Sequence, residues 1–261
     1  MSLIERMRPR PGLRVVVTAG ASGIGAAIAA AFLEAEAKVL VCDVDAAALD
    51  AFGKAHPAVM TTETDVADEA AVASLIAGAE ERLGGLDVLV NNAGIAGPTD
   101  LIDDLEIADI RRTLDINLVS QFLTVRLAAP MLRESRGSIV NLSSVAGRLG
   151  LALRTPYAAS KWGIVGLTDS LAKELGPDGV RVNALLPGFV RGPRIEGVIR
   201  ARAGASGLSY EAMEADYLKA VSLRRMVEPE DVAAMALFLC SPAGANISGQ
   251  AISICGNVEH I

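Results

Sequence analysis

A regular alternation of short apolar runs with longer amphipathic stretches is the feature that most constrains the fold of this 261-residue chain. The runs have strand length and are continuously apolar, as strands buried on both faces of a sheet are. Strands that alternate with helices form parallel sheets, because each connection crosses back over a face. We therefore predict an α/β fold, a doubly wound parallel sheet of about seven strands with helices on both faces. The predicted strands are 13–18, 37–43, 58–64, 86–91, 138–143, 180–186 and 250–254.

The stretches between the strands show helical spacing of apolar residues, most clearly over 68–83, 107–134 and 155–175. Each ends near a glycine or a proline. Only the region 187–225 is irregular; it interrupts the alternation of strands and helices before a last helix and strand. No repeat, low-complexity segment or Pro-rich linker divides the chain. We predict a single domain over 1–261, with a substrate-covering lobe at about 187–225.

Composition and charge narrow the function classes. Hydrophobic residues make up 51% of the chain, but no apolar run reaches the roughly 18 residues of a membrane span. The net charge is −7 and the acidic residues are spread along the chain, which argues against a nucleic-acid surface. We expect a soluble protein with a small-molecule partner, no membrane and no nucleic acid.

The cysteines and the start of the chain indicate a cytoplasmic location. Cys42, Cys240 and Cys255 form no close pair and have no neighbouring histidine, so neither a disulfide framework nor a metal site is predicted. Residues 1–11 lack the apolar stretch and the small-residue cleavage site of a secretory signal. We expect reduced thiols that serve in packing.

A glycine-rich loop follows the first predicted strand and leads into an alanine-rich helix. Glycines allow a sharp turn close to a pyrophosphate, and a helix N-terminus offers N–H groups and a positive dipole end. We interpret the segment as a dinucleotide loop; a tight turn without a ligand is the alternative, but the strand-loop-helix order favours binding. The candidate residues are Thr18, Gly20, Ser22, Gly23, Ile24 and Gly25.

Asp43 ends the second predicted strand, about twenty residues past the glycines. At this position a carboxylate accepts hydrogen bonds from the ribose hydroxyls of the adenosine and repels a 2′-phosphate. No lysine or arginine occupies Val44 or Asp45 to offset that repulsion. The cofactor predicted is NAD rather than NADP. The alternative role, capping the next helix, fits Asp45 better.

Tyr157 and Lys161 form a Tyr-x-x-x-Lys motif in a predicted helix. With this motif the chain resembles a classical short-chain dehydrogenase/reductase over almost its whole length. The resemblance implies a Rossmann-like fold, hydride transfer between a secondary alcohol and its ketone, and a homotetramer built through the helices 107–134 and 155–175. The matching positions, in the family's order and spacing, are Thr18 to Gly25, Asp65, Asn91 to Gly94, Asn117, Ser144, Tyr157, Lys161 and Pro187-Gly188.

The chemistry of alcohol oxidation favours these residue types. A hydride leaves the alcohol carbon easily only as the hydroxyl proton departs, so a base is needed near neutral pH. A free tyrosine, with a pKa of about 10, is a poor base, and a nearby cation must stabilise its phenolate. Lys161 follows Tyr157 by four residues, so in a helix its ammonium lies on the same face, one turn away, and can be that cation.

The resemblance assigns a role to each candidate catalytic residue. Tyr157 shuttles the proton, Ser144 hydrogen-bonds the substrate oxygen, Lys161 also holds the nicotinamide ribose, and Asn117 holds a water beside Lys161. Taken singly, the tyrosine and lysine could be an ordinary helix pair, and the serine an ordinary strand-end residue. Ser143 precedes Ser144 and is interpreted as a supporting hydrogen-bonder.

Further cofactor positions follow from the resemblance. Asp65 matches the contact to the adenine amino group, and Asn91 to Gly94 match a turn that lines the cofactor cleft; plain turn residues are the alternative there. The added positions are Val66, Asn91, Ala93, Gly94, Pro187, Gly188 and Val190.

Three residues depart from the family's pattern. Ala19 stands where the family has a glycine, which predicts a slightly reshaped phosphate turn. Gly192 replaces a hydroxyl residue that would contact the nicotinamide carboxamide. Cys255 lies where an acidic residue is common.

Four arginines near the catalytic positions suggest an anionic substrate. Arg148 and Arg154 lie between Ser144 and Tyr157, and Arg191 and Arg194 follow Pro187-Gly188. A guanidinium binds a carboxylate through two parallel hydrogen bonds, so we hypothesise that Arg148, Arg154 or Arg194 meets such a group. The alternative is that these are ordinary surface arginines.

The favoured function is an NAD-dependent dehydrogenase that oxidises a small polyol, sugar, hydroxy acid or cyclic alcohol. A 3-oxoacyl reductase is the first alternative, although Asp43 argues against its usual NADPH. A non-catalytic NAD-binding regulator is the second, and it would be free to lose Ser144, Tyr157 or Lys161, all of which are present.

Overall fold

Seven parallel strands form one twisted sheet in the order β3-β2-β1-β4-β5-β6-β7. The computed structural model describes residues 2–258, apart from the side chains of residues 194, 201, 202 and 205. The predicted doubly wound sheet is confirmed, and each strand begins and ends within two residues of its predicted bounds. The strands are β1 (Arg14–Thr18), β2 (Lys38–Asp43), β3 (Met60–Glu63), β4 (Val88–Asn91), β5 (Ser138–Leu142), β6 (Arg181–Pro187) and β7 (Ala251–Ile254).

Helices cover both faces of the sheet. Successive side chains of a strand point to opposite faces, so Val15 and Val17 of β1 enter one core cluster and Val16 enters the other. The helices are α1 (Leu3–Arg6), α2 (Gly23–Glu34), α3 (Ala46–Ala55), α4 (Glu69–Leu83), α5 (Ile107–Leu114), α6 (Ser120–Ser135), α7 (Thr155–Leu175), α8 (Pro193–Ser206), α9 (Tyr210–Leu218) and α10 (Pro229–Cys240).

Two regions differ from the sequence prediction. The helix predicted over 107–134 is divided by a π-helical turn, Asp115–Val119, between α5 and α6. Apolar periodicity does not detect such a turn, because it reports which side chains face the core and not which carbonyl each backbone N–H bonds. The region 187–225, predicted as irregular, contains α8 and α9, whose apolar residues pack into a small separate cluster around Ile199 and Met213.

A charged cluster ties β1 to the segment that enters β4. The Asp87 carboxylate, which is 7% exposed, accepts hydrogen bonds from the Arg14 backbone N–H at 2.9 Å and from Arg14 Nε at 2.8 Å, and Arg10 Nη2 lies 3.1 Å away. Burial alone would raise the pKa of Asp87, but the hydrogen bonds from Arg14 hold it below its ordinary value. The carboxylate therefore stabilises the fold in its charged form.

Replacing Asp87 with asparagine should lower the free energy of unfolding by about 2 kcal/mol at pH 7, because charge-assisted hydrogen bonds to a buried group are lost. A carboxylate whose pKa is lower in the folded than in the unfolded protein stabilises the fold at pH values above its unfolded-state pKa. This stabilisation is lost as the pH falls through the folded-state pKa. The difference between parent and variant should thus shrink below about pH 4.

Urea unfolding at pH 7 and pH 3 measures both effects. Asp50→Asn is the control, since its ion pair with Lys54 is exposed and should contribute little. Equal stability of parent and Asp87→Asn at pH 7 would show that the charged carboxylate of Asp87 does not stabilise the fold.

Candidate active site

The candidate site lies along the carboxyl edge of the sheet, where parallel strands of this topology bind their ligands. Every strand except β7 ends within three residues of a residue that the sequence predicts for the site. The predicted site residues gathered along this edge are Thr18 after β1, Asp43 at the end of β2, Asp65 after β3, Asn91 to Gly94 after β4, Ser144 after β5 and Pro187 with Gly188 after β6.

The loop between β1 and α2 is packed too tightly for a side chain at Gly25. A Cβ there would lie 2.2 Å from the Ala19 carbonyl oxygen and 2.5 Å from Asn92 Nδ2. Ser22 precedes α2 and makes no side-chain cap hydrogen bond, so the first turn of α2, with Gly23 and Ile24, faces the edge uncapped. This cradle fits the pyrophosphate of a dinucleotide.

Ala19 adopts a left-handed backbone with φ of 48°, the conformation that glycine adopts without strain. Its carbonyl oxygen accepts a hydrogen bond from Asn92 Nδ2 at 2.9 Å. The substitution of alanine for the family glycine thus leaves a left-handed turn, which the side chain of Asn92 helps to hold.

Asn92 anchors the glycine loop, whereas the sequence pattern points to its neighbours Asn91, Ala93 and Gly94. Its Nδ2 also donates to the Thr18 carbonyl at 3.1 Å, and Thr18 Oγ1 accepts from the N–H groups of Asn92 and Ala93. These contacts fix the glycine loop to the end of β4. The alternation of side chains along a strand could have indicated this role, because Asn92 follows the buried Asn91 and must face the opposite way.

Asp43 faces the glycine loop. Its Oδ2 accepts a hydrogen bond from the Ala21 N–H at 3.2 Å, and its Oδ1 accepts from the Asp45 N–H at 3.2 Å. Asp45 caps α3 by accepting from the backbone N–H groups of Ala47 and Ala48. The cap therefore belongs to Asp45, as the sequence indicates, and Asp43 stays at the binding edge.

Asp65 and Val66 follow β3 at the same edge. The exposed Asp65 accepts a hydrogen bond from the Ala67 N–H at 2.9 Å, whereas Val66 is buried in the core. One carboxylate oxygen of Asp65 is thus used by its own turn.

Lys161 and Tyr157 lie one turn apart on α7. Lys161 is 4% exposed, and its Nζ donates to the Leu142 carbonyl, the last of β5, at 2.9 Å. The same Nζ lies 5.6 Å from the centroid of the Tyr157 ring. A Cβ added to Gly94 would lie 3.4 Å from it, so the turn after β4 also borders the ammonium.

Ser144 begins the short 3₁₀ turn Val145–Gly147, and its Oγ accepts from the Ala146 N–H at 3.2 Å. A Cβ on Gly147 would lie 2.8 Å from the Lys161 carbonyl, so only glycine lets this turn approach α7. Ser143 Oγ donates to that carbonyl at 2.7 Å. Ser143 therefore fixes the turn to α7, the supporting role that its position suggests.

Asn117 lies in the π-helical turn and is fully buried. Its Oδ1 accepts from the Ile95 N–H at 2.7 Å, and its Nδ2 donates to the Ile95 carbonyl and to Ser160 Oγ, both at 3.0 Å. The amide thus joins the turn after β4 to α7. The structure shows Asn117 as a scaffold residue beside Gly94 and Lys161.

Asn91 is directed into the protein rather than toward the cleft. Its Nδ2 donates to Asn141 Oδ1 at 3.0 Å, and its Oδ1 accepts from Thr124 Oγ1 at 2.7 Å. Asn141 in turn donates to Thr168 Oγ1 at 3.0 Å. This buried chain steadies β4 and β5 against α6 and α7.

Pro187 ends β6, and the Gly188 N–H donates to the Ile254 carbonyl at 3.0 Å. A Cβ on Gly188 would lie 2.8 Å from that of Cys255, so this segment is packed tightly on the end of β7. Val190 forms an isolated bridge with Val227. Gly192 precedes α8 and offers no side-chain cap.

The four arginines have different surroundings. Arg148 is exposed and donates to Ser253 Oγ and the Ala251 carbonyl, so its guanidinium is held by β7. Arg191 forms ion pairs with Glu214 and Glu228. The side chain of Arg194 lies outside the described part. Of the three arginines whose side chains are described, only Arg154 lies against a predicted catalytic residue, with Cζ 4.5 Å from the Tyr157 ring centroid.

The doubly wound sheet and the glycine loop at its carboxyl edge are typical of a dinucleotide-binding α/β enzyme. The family model described as enoyl-(acyl carrier protein) reductase matches residues 18–257. The chain belongs to the short-chain dehydrogenase/reductase family, whose members are oxidoreductases that bind a nicotinamide cofactor. Among the described residues, no helix combines the length and apolar character needed to cross a membrane.

Two curated relatives and one solved structure span almost the whole chain. L-fucose dehydrogenase of Bos taurus is 35% identical over 248 residues, 95% of this chain and 90% of its own. Trans-4-hydroxycyclohexanecarboxylate dehydrogenase of Sinomonas cyclohexanicum is 32% identical over 97% of this chain and 95% of its own. The structure of the F189W actinorhodin polyketide ketoreductase with NADPH matches with a TM-score of 0.90 and 32% identity, covering 96% of this chain and 98% of that one.

Gly25→Ala should weaken NADH binding at least about tenfold, because a methyl group 2.2 Å from the Ala19 carbonyl forces the loop to move. Fluorescence titration with NADH measures this. Gly78→Ala on α4 is the control, since its Cβ meets open space. An affinity within twofold of the parent would show that the loop does not bind the cofactor.

Proposed function

We propose that this protein is an NAD-dependent dehydrogenase that oxidises a secondary alcohol to its ketone. The observation that supports this best is the convergence of Tyr157, Lys161 and the Ser144 turn at the edge of the sheet that also carries the glycine loop, with Lys161 buried against the end of β5. A structural role alone gives no reason to bury an ammonium next to a half-buried tyrosine.

The residues divide the chemistry among them. Tyr157 accepts the hydroxyl proton of the alcohol at Oη, and the Lys161 ammonium lies 5.6 Å from the centroid of its ring. Ser144 donates a hydrogen bond from Oγ to the substrate oxygen and orients it. Asn117 holds Ser160 and the turn after β4, so that Tyr157 and Lys161 keep their relative position. A bound nicotinamide cofactor supplies the hydride acceptor.

Asp43 supports NAD as the cofactor. Its Oδ2 is held 3.2 Å from the Ala21 N–H of the dinucleotide loop, so the carboxylate lies where the adenosine ribose is expected. A 2′-phosphate there would meet a fixed negative charge. Thr18, the glycine loop, Asp65 with Val66, Ala93 with Gly94, and the segment from Pro187 to Val190 complete the proposed cofactor cleft.

The substrate proposed is a small polyol, sugar, hydroxy acid or cyclic alcohol. Two relatives support this range, since their names give a sugar and a hydroxylated cyclic acid as substrates. A ketone reductase of the 3-oxoacyl type is the second candidate, favoured by the similarity to a polyketide ketoreductase. Asp43 weighs against NADPH and therefore against this candidate. A non-catalytic regulator would not require Tyr157 and Lys161 in this arrangement.

We also propose that α8 and α9 form a substrate-covering lobe. Phe189 and Leu218, at the two ends of this region, pack with Val145 and Leu149 directly after Ser144. The lobe thereby borders the proposed substrate space. Two ion pairs of Arg191, to Glu214 and Glu228, link it to the body of the protein.

A homotetramer is proposed through α6 and α7. Phe122 on α6 and Trp162 on α7 are 52% and 51% exposed, and large aromatic residues at the surface are typical of protein interfaces. Light scattering should give about four times the chain mass of 27.0 kDa. A monomer mass would contradict the proposal.

A cytoplasmic location is proposed from the three free cysteines. Burial raises the pKa of the Cys42 thiol to about 12 and that of Cys240 to about 11, so both remain protonated packing residues. Recovery of the protein from the cytosolic fraction of fractionated cells checks this location.

Tyr157→Phe should lower turnover by about 100-fold or more and leave NADH affinity nearly unchanged, because only the proton-transfer group is removed. A panel of secondary alcohols assayed by NADH absorbance measures turnover, and fluorescence titration measures affinity. Ser74→Ala, which removes an exposed hydroxyl from α4, is the control and should retain activity. Near-normal turnover of Tyr157→Phe would refute the mechanism.

The ratio of kcat/KM for NAD to that for NADP should be at least about ten, since the charge repulsion at Asp43 is worth at least about 1.4 kcal/mol. Asp43→Ser combined with Val44→Arg should lower this ratio or bring it below one, because Val44 is exposed and an arginine there can reach the 2′-phosphate of NADP. Asp45→Ser with Val44→Arg is the control that retains Asp43. An unchanged ratio in the Asp43 variant would show that another residue selects the cofactor.

A further inference from the structure

Arg154 occupies a distinctive position directly before α7. Its guanidinium carbon lies 4.5 Å from the centroid of the Tyr157 ring, and its Nη2 donates to the Ala96 carbonyl at 2.9 Å. Ala96 belongs to the segment after β4 that also contains Gly94. The cation is therefore held between the tyrosine and a wall of the cleft.

The charge of Arg154 has no acidic partner in the described part of the protein, where no carboxylate oxygen lies within 4.0 Å of its guanidinium. Its Nε is buried and makes no hydrogen bond. Arg191, by comparison, forms ion pairs with two glutamates.

A guanidinium has five N–H donors, and the hydrogen bond to Ala96 uses one of them. Because Arg154 is half-buried, donors on its open side can meet a substrate anion in place of water. The face of the Tyr157 ring stabilises the cation but accepts no strong hydrogen bond. The guanidinium is therefore fixed in place with donors left over for an oxygen-bearing anion.

We propose that Arg154 binds a carboxylate of the substrate, which makes the substrate a hydroxy acid. This proposal rests on the proposed function, because the carbinol must reach Tyr157 while the carboxylate meets the guanidinium beside it. A planar guanidinium held at Ala96 and against the tyrosine ring is oriented in advance, and a carboxylate fits it through two parallel hydrogen bonds. Arg154 is thus a specificity residue that positions the carbinol.

The test compares each acid with its neutral carboxamide. The probes are 3-hydroxybutyrate and 3-hydroxycyclohexanecarboxylate with the corresponding amides, and kcat and KM are measured for the parent and for Arg154→Met. The parent should prefer the acids. Arg154→Met should lower kcat/KM for the acids about 30-fold, mostly through KM, and change that for the amides less than about threefold.

Two further variants separate the contribution of the guanidinium. Arg154→Lys keeps the charge but loses the paired donors, so it should recover part of the lost kcat/KM. Arg148→Met, whose guanidinium is held by β7, should leave the acids unaffected. Thermal unfolding confirms that each variant is folded.

A binding measurement independent of turnover completes the test. Calorimetric titration of the NAD-saturated protein with cyclohexanecarboxylate, which has no hydroxyl to oxidise, should show at least about tenfold weaker binding to Arg154→Met, with cyclohexanecarboxamide unaffected. Equal losses for acid and amide, or a parent that prefers the amides, would overturn the carboxylate proposal. Absence of turnover with every secondary alcohol would instead refute the proposed function.

Discussion

The burial of one positive charge, the Lys161 ammonium, is the constraint on which the arrangement of the site depends. An ammonium that is 4% exposed costs several kcal/mol in desolvation unless surrounding groups compensate. The Leu142 carbonyl at the end of β5 supplies one hydrogen bond, and Gly94 admits the turn after β4 to the same place. Three separate segments therefore meet at the lysine, and Tyr157 lies beside the point where they meet.

Much of the remaining polar core keeps these segments in register. The π-helical turn brings Asn117 to Ile95 and Ser160, and the chain from Thr124 through Asn91 and Asn141 joins α6 to the central strands. Satisfied buried networks of this kind specify one arrangement, because any shift leaves a polar group unpaired. The reactive residues thus sit on a rigid scaffold, and the lobe of α8 and α9 is a separate cluster beside it.

The sequence predicted the sheet well because buried parallel strands are continuously apolar, a local signal that needs no knowledge of contacts. It also predicted that Lys161 follows Tyr157 by one helical turn and that Asp43 ends the second strand, and the structure has both placements, since helix spacing and strand ends are local properties. The π-helical turn was missed because the pattern of apolar residues does not show which carbonyl each backbone N–H bonds. The role of Asn92 as an anchor for the glycine loop, and the difference between Arg148 and Arg154, depend on contacts between segments far apart in the chain, which no local pattern encodes.

In the proposed reaction, hydrogen passes directly from a carbinol carbon to NAD, and isotope labelling can follow this transfer. The protein is incubated with NAD and its best secondary alcohol, deuterated at the carbinol carbon, and the NADH formed is examined by mass spectrometry and NMR. We expect one deuterium in the nicotinamide ring of NADH, one ketone formed per NADH, and slower turnover of the deuterated alcohol if the transfer step limits the rate. NADH without deuterium would contradict direct transfer, since the hydrogen would then have come from another source.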